Sequence, residues 1–318
     1  MTRNVSVYGT DHLHVVDLTT KLRDAGAHVR AVVATEDKIG PWLASQFPEA
    51  RTDDPFGDDV DLVVSAAIPS ERAPLAIDAM EAGKDVVMDK PGAVAIEHVD
   101  ALEDAAKRTG RHFTIIFAER LGSAAMMRAY AMARDGAVGD VLHTVGLGPH
   151  KLSLDHRPEW FFDPARYGGI LVDIGSHQVD QFLAFTGSRD ADVVGATVRA
   201  HPEHPGLQVL GEMLLSSATA TGYARVDYFT PAALKGWGEV RFTVVGTEGF
   251  LEVRVLDETV RIVDGTRDET FACAGERVTW PDEVLLGVTS AAMQHACAVS
   301  RICLRAQAAA RMEDSSSG

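Results

Sequence analysis

Apolar residues in the first third of the chain fall alternately into short runs and into repeats of three and four. The runs predict strands at residues 4–9, 28–34, 60–67, 85–91 and 112–119. The repeats between them predict helices at residues 15–26, 39–47, 72–83 and 96–110. Strands and helices that alternate across short loops are typical of a parallel, doubly wound sheet. We therefore predict an α/β domain over residues 1–119.

The pattern changes after this point. A helix is predicted at 123–139, a strand at 140–148, and one long helix at 168–187, after a loop at 150–167 that is rich in His, Trp, Phe and Pro. Further strands are predicted at 191–200, 207–216, 219–229, 239–246, 249–255 and 259–265, with a last helix at 290–307. Consecutive strands joined by turns favour a large, mostly antiparallel sheet, so residues 120–318 are predicted to form an α+β domain.

Composition narrows the classes of partner. The formal net charge of −16 disfavours nucleic acid and anionic membranes. The three cysteines, Cys273, Cys297 and Cys303, form no CxxC pair, which argues against a disulfide framework and fits a reducing compartment. The N-terminal residues enter a strand pattern without an apolar leader, and no apolar stretch has the length of a membrane span. These features predict a cytoplasmic protein with a small-molecule substrate.

The stretch YGTDHLH follows the first predicted strand. A strand, a tight turn and a helix N-terminus make an anion site, and three glycines mark such a turn in dinucleotide-binding domains. Here the three positions are Gly9, Asp11 and His14, so only the turn glycine is present. The stretch is therefore either a reduced phosphate loop, with Thr10 and His12 at its edge, or an ordinary strand-to-helix turn.

The end of the second strand carries the residue that usually binds the adenosine ribose. Ala34 holds the expected position, and Glu36 or Asp37 could take the role from further along. No arginine stands there for a 2′-phosphate. The alternative is a pair of solvated loop charges, so the choice between NAD and NADP stays open, with NAD slightly favoured.

Two further stretches have side chains suited to acid–base chemistry. Lys90 lies between Asp89 and Pro91 at the predicted carboxyl end of a buried strand, where ligands bind in open α/β sheets. In the helix predicted at 168–187, Asp173 and His177 are four residues apart and so share a face with Asp180. Asp173 could set the tautomer of His177 and make it a general acid or base.

A metal site is not predicted. His150, His156, Asp163, Asp173 and His177 are enough ligands in number, but they contain no compact HxxxH or HxH pair. The Asp–His pair could still contribute two ligands, so a metal near these residues remains an alternative. A serine hydrolase is disfavoured because the chain has no GxSxG elbow.

Two motifs resemble those of the Gfo/Idh/MocA oxidoreductases. AGKDVVMDKP at 82–91 is similar to the family's AGKHVxxEKP, and GGILVDIGSHQVDQFLAFTG at 168–187 matches its GGxxxDxGxHxxDxxxxxxG. RPEWFFDPARYGG at 157–169 and RLGSAAMMRAYAMARDGAVGDV at 120–141 are also similar to family members. The sequence departs from the pattern at Asp89, which replaces glutamate, and at Arg72, where histidine is common.

The resemblance implies an N-terminal Rossmann domain that binds NAD or NADP and a C-terminal domain that often forms dimers or tetramers, with the active site between them. It implies that Lys90 contacts the reacting hydroxyl, His177 acts as acid or base, and Asp173 positions one or both. The predicted cofactor-binding residues are Gly9, Thr10, Asp11, His12, Glu36, Ser65, Asp89, Lys90 and Pro91. The predicted substrate-binding residues are Arg120, His150, Trp160 and Arg166.

The sequence therefore favours an NAD(P)-dependent dehydrogenase or reductase that acts on a sugar, polyol or inositol-type carbon. Three alternatives stay open. They are a relative that uses bound NAD for glycoside hydrolysis or lyase chemistry without net redox change, a metal-dependent lyase or isomerase, and a non-catalytic binding protein.

Overall fold

A computed structural model describes residues 3–35 and 39–312 of the chain. By its internal contacts the chain divides into two units. The first unit contains the chain up to residue 116 together with 165–168 and 279–300, and the second unit contains the remainder.

The first unit is built on a five-stranded sheet in which every neighbouring pair is parallel. Its strands are β1 (Asn4–Tyr8), β2 (His28–Val33), β3 (Leu62–Ser65), β4 (Asp85–Asp89) and β5 (Phe113–Ile116). Their order is β2-β1-β3-β4-β5, so the direction of winding reverses between β1 and β3. All residues of β3, β4 and β5 are buried, as expected for strands covered on both faces. The predicted doubly wound sheet is confirmed.

The helices of the first unit cover this sheet with amphipathic faces. They are α1 (His14–Asp24), α2 (Ile39–Ser45), α3 (Pro69–Glu81) and α4 (Ile96–Thr109). The buried positions of α1 are Val15, Leu18, Thr19 and Leu22, which recur at helical intervals. α4 ends at Gly110, whose φ of 68° gives the left-handed cap that the sequence suggests.

The second unit contains a nine-stranded sheet. Its strands are β6 (Val141–Pro149), β7 (Asp192–Ala200), β8 (Gln208–Ser216), β9 (Thr221–Asp227), β10 (Arg241–Gly246), β11 (Gly249–Arg254), β12 (Thr259–Asp264), β13 (Asp268–Ala272) and β14 (Arg311–Met312). Their order is β13-β12-β11-β10-β6-β9-β8-β7-β14. The pairs β6–β9 and β7–β14 are parallel and the other neighbours are antiparallel, which confirms a large, mostly antiparallel sheet. β13 and β14 were not predicted.

Short helices stand where the sequence suggests longer elements. α5 (Ala118–Leu121) replaces the end of the strand predicted at 112–119. α6 (Ala124–Arg134) packs on β11 and β12. The loop at 150–167 contains two 3₁₀ turns, Leu154–His156 and Glu159–Phe162, and then α7 (Pro164–Tyr167).

The single helix predicted at 168–187 is wrong. The structure has α8 (Ile170–Asp173) and α9 (Gly175–Thr186) instead. The Ser176 hydroxyl donates to the Asp173 carbonyl at 3.0 Å, and the His177 amide donates to the Ile174 carbonyl at 3.0 Å, so the regular ladder is interrupted. A Cβ on Gly175 would lie 3.0 Å from the methyl of Met213 on β8, so the glycine permits a close approach to the sheet.

The chain returns to the first unit near its end. α10 (Trp280–Leu286) packs on α1, with Trp280 and Val284 buried. Arg3 also donates to the carbonyl of Val284 at 3.2 Å. The division after residue 116 lies near the boundary predicted after residue 119, but residues 165–168 and 279–300 differ from that prediction because they pack with the first unit. α11 (Ser290–Ala309) runs from one unit into the other. No helix in the described part of the chain is long and apolar enough to cross a membrane.

Candidate active site

The turn after β1 is tied to the end of β3. Gly9 has a φ of 81°, and a Cβ there would lie 2.6 Å from the Cβ of Ala67, so this position requires glycine. Ala66 donates its amide to the carbonyl of Gly9, and His12 donates its amide to the carbonyl of Ala66, both at 3.0 Å. The predicted turn glycine therefore lies where the strand order reverses, the usual ligand position in open α/β sheets.

Asp11 lies close to Thr35, the second residue after β2. Its carboxylate accepts a hydrogen bond of 2.7 Å from the hydroxyl of Thr35. The same hydroxyl is 3.4 Å from the amide nitrogen of Thr10, which is buried. Asp11 thus brings a carboxylate to the end of β2, where a ribose-binding acid usually stands. Glu36 and Asp37, which were considered for that role, lie outside the described residues.

Two histidines of the same turn converge on Asp89 at the end of β4. The Nδ1 of His14 is 2.9 Å from Asp89 Oδ1, and the Nδ1 of His12 is 3.4 Å from Asp89 Oδ2. Asp89 itself is 2 % exposed. We refer to His12, His14 and Asp89 as the His–Asp cluster. The HLH spacing is visible in the sequence, but its third member is 75 positions away from His14, so the cluster was missed.

Charge and burial act in opposite directions on this cluster. Burial lowers the pKa of His12 well below its usual range, His14 lowers it further, and Asp89 partly opposes the shift. Burial alone would raise the pKa of Asp89, but the charges of His14 and Arg72 outweigh it and hold that pKa well below its usual range. The carboxylate is thus ionised and His12 is neutral near pH 7.

Arg72 holds the segment that carries Lys90. Its guanidinium donates to the backbone carbonyls of Ala67, Asp89, Lys90 and Pro91 and to Asp89 Oδ2 at 3.1 Å. Both Arg72 and Lys90 are buried. The arginine noted as a departure from the family pattern therefore fixes the backbone on both sides of Lys90. Ser65, at the end of β3, is also buried, and its hydroxyl accepts the Ala67 amide at 3.3 Å.

The acid–imidazole pair of the second unit is buried. Asp173 and His177 are 6 % and 3 % exposed, so this polar stripe does not face water. The Tyr228 hydroxyl donates to Asp173 at 3.3 Å, and the ring of Phe117 meets that of His177 edge-on, with centroids 6.4 Å apart. Arg157 stacks over Tyr228 with its guanidinium carbon 5.0 Å from the ring centroid. Tyr228 was not predicted, because its strand pattern does not reveal the distant partner.

The predicted substrate residues fall into different surroundings. Arg120 makes two hydrogen bonds of 2.7 Å with the carboxylate of Asp180, which is fully buried. His150 Nε2 lies 3.8 Å from Glu119, and Trp160 is buried against Phe161.

Arg166 belongs to the first unit, unlike the other three predicted substrate residues, and its Nη2 lies 3.4 Å from Glu71. The assignment of all four to substrate stays a prediction.

Glu119 is the centre of a buried polar group that sequence reasoning missed. Its Oε2 accepts hydrogen bonds from Gln178 at 2.7 Å and from Gln181 at 3.1 Å. Both glutamines lie on α9 and are buried. Together with Arg120 and Asp180, these residues anchor α5 to α9.

The possible metal ligands are grouped differently from the sequence-based alternative. Among residues 3–35 and 39–312, the His–Asp cluster is the single group of at least three such side chains whose ligand atoms all lie within 4.8 Å of one another. The alternative set, which included His150, Asp173 and His177, does not form such a group in this part of the chain.

The first unit fits a dinucleotide in topology and side-chain chemistry. Gly9 forms the turn after β1, α1 begins five residues later at His14, and Lys90 follows β4, which is two strands away from β1 in the sheet. The turn departs from a glycine-rich one because the amides of His12 and His14 donate to Ala66 and to the His12 ring, respectively.

Comparisons with known proteins agree with both units. Residues 126–252 match the family model described as GFO/IDH/MocA C-terminal domain. Residues 11–115 match that of the NAD binding domain of homoserine dehydrogenase.

Solved structures resemble the whole chain. A candidate oxidoreductase from Erwinia carotovora atroseptica is 34 % identical, with 98 % of this chain and 99 % of that chain covered and a TM-score of 0.92. A levoglucosan dehydrogenase in complex with NADH and levoglucosan is 18 % identical, with 97 % and 98 % covered and a TM-score of 0.80. A 3-ketoreductase from Actinomadura kijaniata, in complex with NADP, is 17 % identical, with 98 % and 99 % covered and a TM-score of 0.77.

A curated relative matches a shorter stretch. Glycosyl hydrolase family 109 protein 1 from Shewanella sp. (strain MR-4) is 27 % identical over an alignment of 164 residues, and the match covers 46 % of this chain and 36 % of the relative. The full-length likeness to the Erwinia protein and the C-terminal family match agree with the two sequence motifs. The chain belongs to the GFO/IDH/MocA family.

Proposed function

We propose that the protein is an NAD(P)-dependent oxidoreductase that acts on a hydroxyl or ketone of a sugar or polyol. The observation that carries the proposal is the buried Lys90 at the carboxyl end of β4, with its flanking carbonyls held by Arg72. A lysine fixed in this way can orient and polarise a substrate oxygen. Membership of the GFO/IDH/MocA family indicates the class of reaction, which is oxidation or reduction with a dinucleotide.

His177 is the proposed acid or base, since a buried imidazole can exchange a proton with a reacting hydroxyl near neutral pH. Asp173 is proposed to orient it, and Tyr228 holds Asp173 by a hydrogen bond of 3.3 Å. The bound nicotinamide would accept or donate the hydride. The residues proposed to hold the dinucleotide are Gly9, Thr10, Asp11, His12, Ser65, Asp89, Lys90 and Pro91.

Asp11 favours NAD over NADP in this proposal. Its carboxylate, held by Thr35, brings negative charge to the end of β2. A carboxylate can accept a hydrogen bond from a ribose hydroxyl but repels a 2′-phosphate. Structural neighbours hold either cofactor, so the family alone does not decide between them.

Calorimetric titration with NADH and NADPH, followed by assays of both dinucleotides against a panel of sugars and polyols, tests the proposal. We expect Lys90→Met and His177→Ala each to lower kcat about a hundredfold or more, and His177→Ala to leave binding of the dinucleotide unchanged. Lys107→Met, on the exposed face of α4, is the matched control and should leave kcat unchanged. If the wild type bound neither dinucleotide, or if no sugar or polyol changed its redox state, the proposal would be wrong.

The match to glycosyl hydrolase family 109 favours one second candidate. In that case the cofactor would stay bound, and a glycoside would be cleaved without net formation of NADH. Mass spectrometry of the purified protein, combined with assays of glycoside cleavage, separates the two candidates. Retained dinucleotide with cleavage and no net redox change supports the hydrolase.

A further inference from the structure

We propose that the His–Asp cluster binds a divalent transition metal of the zinc class. His12, His14 and Asp89 each offer one ligand atom, and all three atoms lie within 4.8 Å of one another. Two of these residues, His12 and Asp89, are also proposed to hold the dinucleotide, so metal binding is tested on the protein without dinucleotide, where the oxidoreductase proposal is not at stake.

Two separations within the cluster are close to those around a tetrahedral ion. Zinc bonds to nitrogen and oxygen ligands of about 2.0–2.1 Å place neighbouring ligand atoms about 3.3 Å apart in a tetrahedron. In the cluster, the Nδ1 of His14 is 2.9 Å from one oxygen of Asp89, and the Nδ1 of His12 is 3.4 Å from the other. Small side-chain adjustments would therefore bring the three donors around one ion. That movement would replace the hydrogen bond of 3.3 Å from the His14 amide to His12 Nδ1.

The donor set indicates which metals would bind. Two imidazoles and one carboxylate suit zinc, cobalt or nickel, whereas magnesium and calcium prefer sites made of oxygen alone. Three protein ligands leave a fourth tetrahedral position for water or for a substrate oxygen. The site is therefore of the open kind.

Arg72 lies outside the His–Asp cluster and holds the carboxylate of Asp89. It binds Asp89 Oδ2 at 3.1 Å and leaves Oδ1 facing His14. Groups that hold a ligating carboxylate in one orientation strengthen metal sites. The charges of Arg72 and Lys90 also oppose a cation, so we expect binding at micromolar metal rather than the far tighter binding of structural zinc fingers.

The experiment uses the full chain, stripped with a chelator and without dinucleotide. We expect one equivalent of cobalt to bind and to give the intense visible bands of a tetrahedral ion, and one equivalent of zinc to displace it. His12→Ala and His14→Ala should each weaken cobalt binding at least tenfold, and Asp89→Asn should weaken it to a similar extent. At the same zinc concentration, the Tm of the wild type should rise more than the Tm of His14→Ala. His14→Gln repeats the test with a bulkier side chain should His14→Ala fold poorly.

A second histidine pair provides the control. The rings of His201 and His204 are 5.0 Å apart in the second unit and could bind cobalt adventitiously. The double variant His201→Ala/His204→Ala should keep the full cobalt signal. Substoichiometric or octahedral cobalt, binding that survives loss of both His12 and His14, or binding that is lost in the double variant would each overturn the proposal.

Discussion

Asp89 in the first unit and Asp180 in the second are both buried carboxylates bound by an arginine, yet their environments differ. Both oxygens of Asp180 accept hydrogen bonds of 2.7 Å from Arg120, which is a fork-to-fork pair. In Asp89, one carboxylate oxygen accepts a hydrogen bond from Arg72 and the other lies 2.9 Å from the Nδ1 of His14. A pair of permanent charges makes a fixed support, whereas a carboxylate shared with imidazoles can exchange partners. The second arrangement suits a place where ligands come and go.

The largest expected effect comes from breaking the fixed pair. Arg120→Met leaves the carboxylate of Asp180 buried without its guanidinium, and we expect a loss of about 3–5 kcal/mol of unfolding free energy. Denaturant unfolding measures it. Arg305→Met is the control, because its pair with Asp190 is exposed and should contribute at most about 1 kcal/mol. A loss of similar size in both variants would show that the buried pair is not special.

Neutralising each aspartate compares the two environments directly. Asp180→Asn leaves the Arg120 charge buried without its carboxylate partner, whereas Asp89→Asn leaves an arginine that still binds four backbone carbonyls. We expect Asp89→Asn to cost about 1–3 kcal/mol and Asp180→Asn to cost more. Equal losses of unfolding free energy in the two variants would show that the two aspartates do not differ in this way.

A smaller effect is expected for a third acid, Asp11, which is held by a neutral hydroxyl. If its carboxylate binds the ribose, Asp11→Asn should narrow the preference for NADH over NADPH about tenfold. Calorimetric Kd values for the two cofactors measure this. Asp24→Asn, at the exposed end of α1, should leave the ratio unchanged. An unchanged ratio in Asp11→Asn would place the ribose elsewhere.

The smallest effect is expected at Glu212, whose hydrogen-bond partner, the hydroxyl of Tyr223, is also neutral. The Tyr223 hydroxyl donates to Glu212, and burial together with this hydrogen bond raises the pKa of Tyr223 to about 12. The neutral phenol is favoured in the folded state. Its contribution to stability is therefore present below the unfolded pKa of about 10 and is lost as the pH rises towards 12.

Absorbance titration of tyrosinate checks this assignment. The difference between the wild type and Tyr223→Phe should titrate near pH 12. In Glu212→Gln the same tyrosine should titrate at lower pH. A difference titration near the ordinary tyrosine value in the wild type would contradict the assignment.

The strands of the first unit could be predicted because parallel strands covered on both faces carry long apolar runs, as at 60–67. The break between α8 and α9 could not, since the helical pattern continues through Ile174. At the break, the Ser176 hydroxyl and the His177 amide each donate to a carbonyl three residues earlier, and hydrophobic periodicity does not reveal such bonds. Local pattern predicts elements well and their interruptions poorly.

The same reasoning applies to the candidate site. Lys90 and the pair Asp173–His177 were found because motif spacing marks them. The contacts of Asp11 with Thr35 and of Tyr228 with Asp173 join residues 24 and 55 positions apart, and no spacing rule identifies such partners. His12 and His14 were visible as an HxH pair, but only the fold brings Asp89 to them.

The hydrogen bond between Arg3 and the carbonyl of Val284 spans 281 positions of sequence. During synthesis, the five strands of the first sheet leave the ribosome long before α10 exists to cover α1. The surface of α1 that packs against α10 therefore stays exposed until most of the second unit has been synthesised. Contacts of such separation are slow to form, so the part of the protein that is translated first is expected to be completed last.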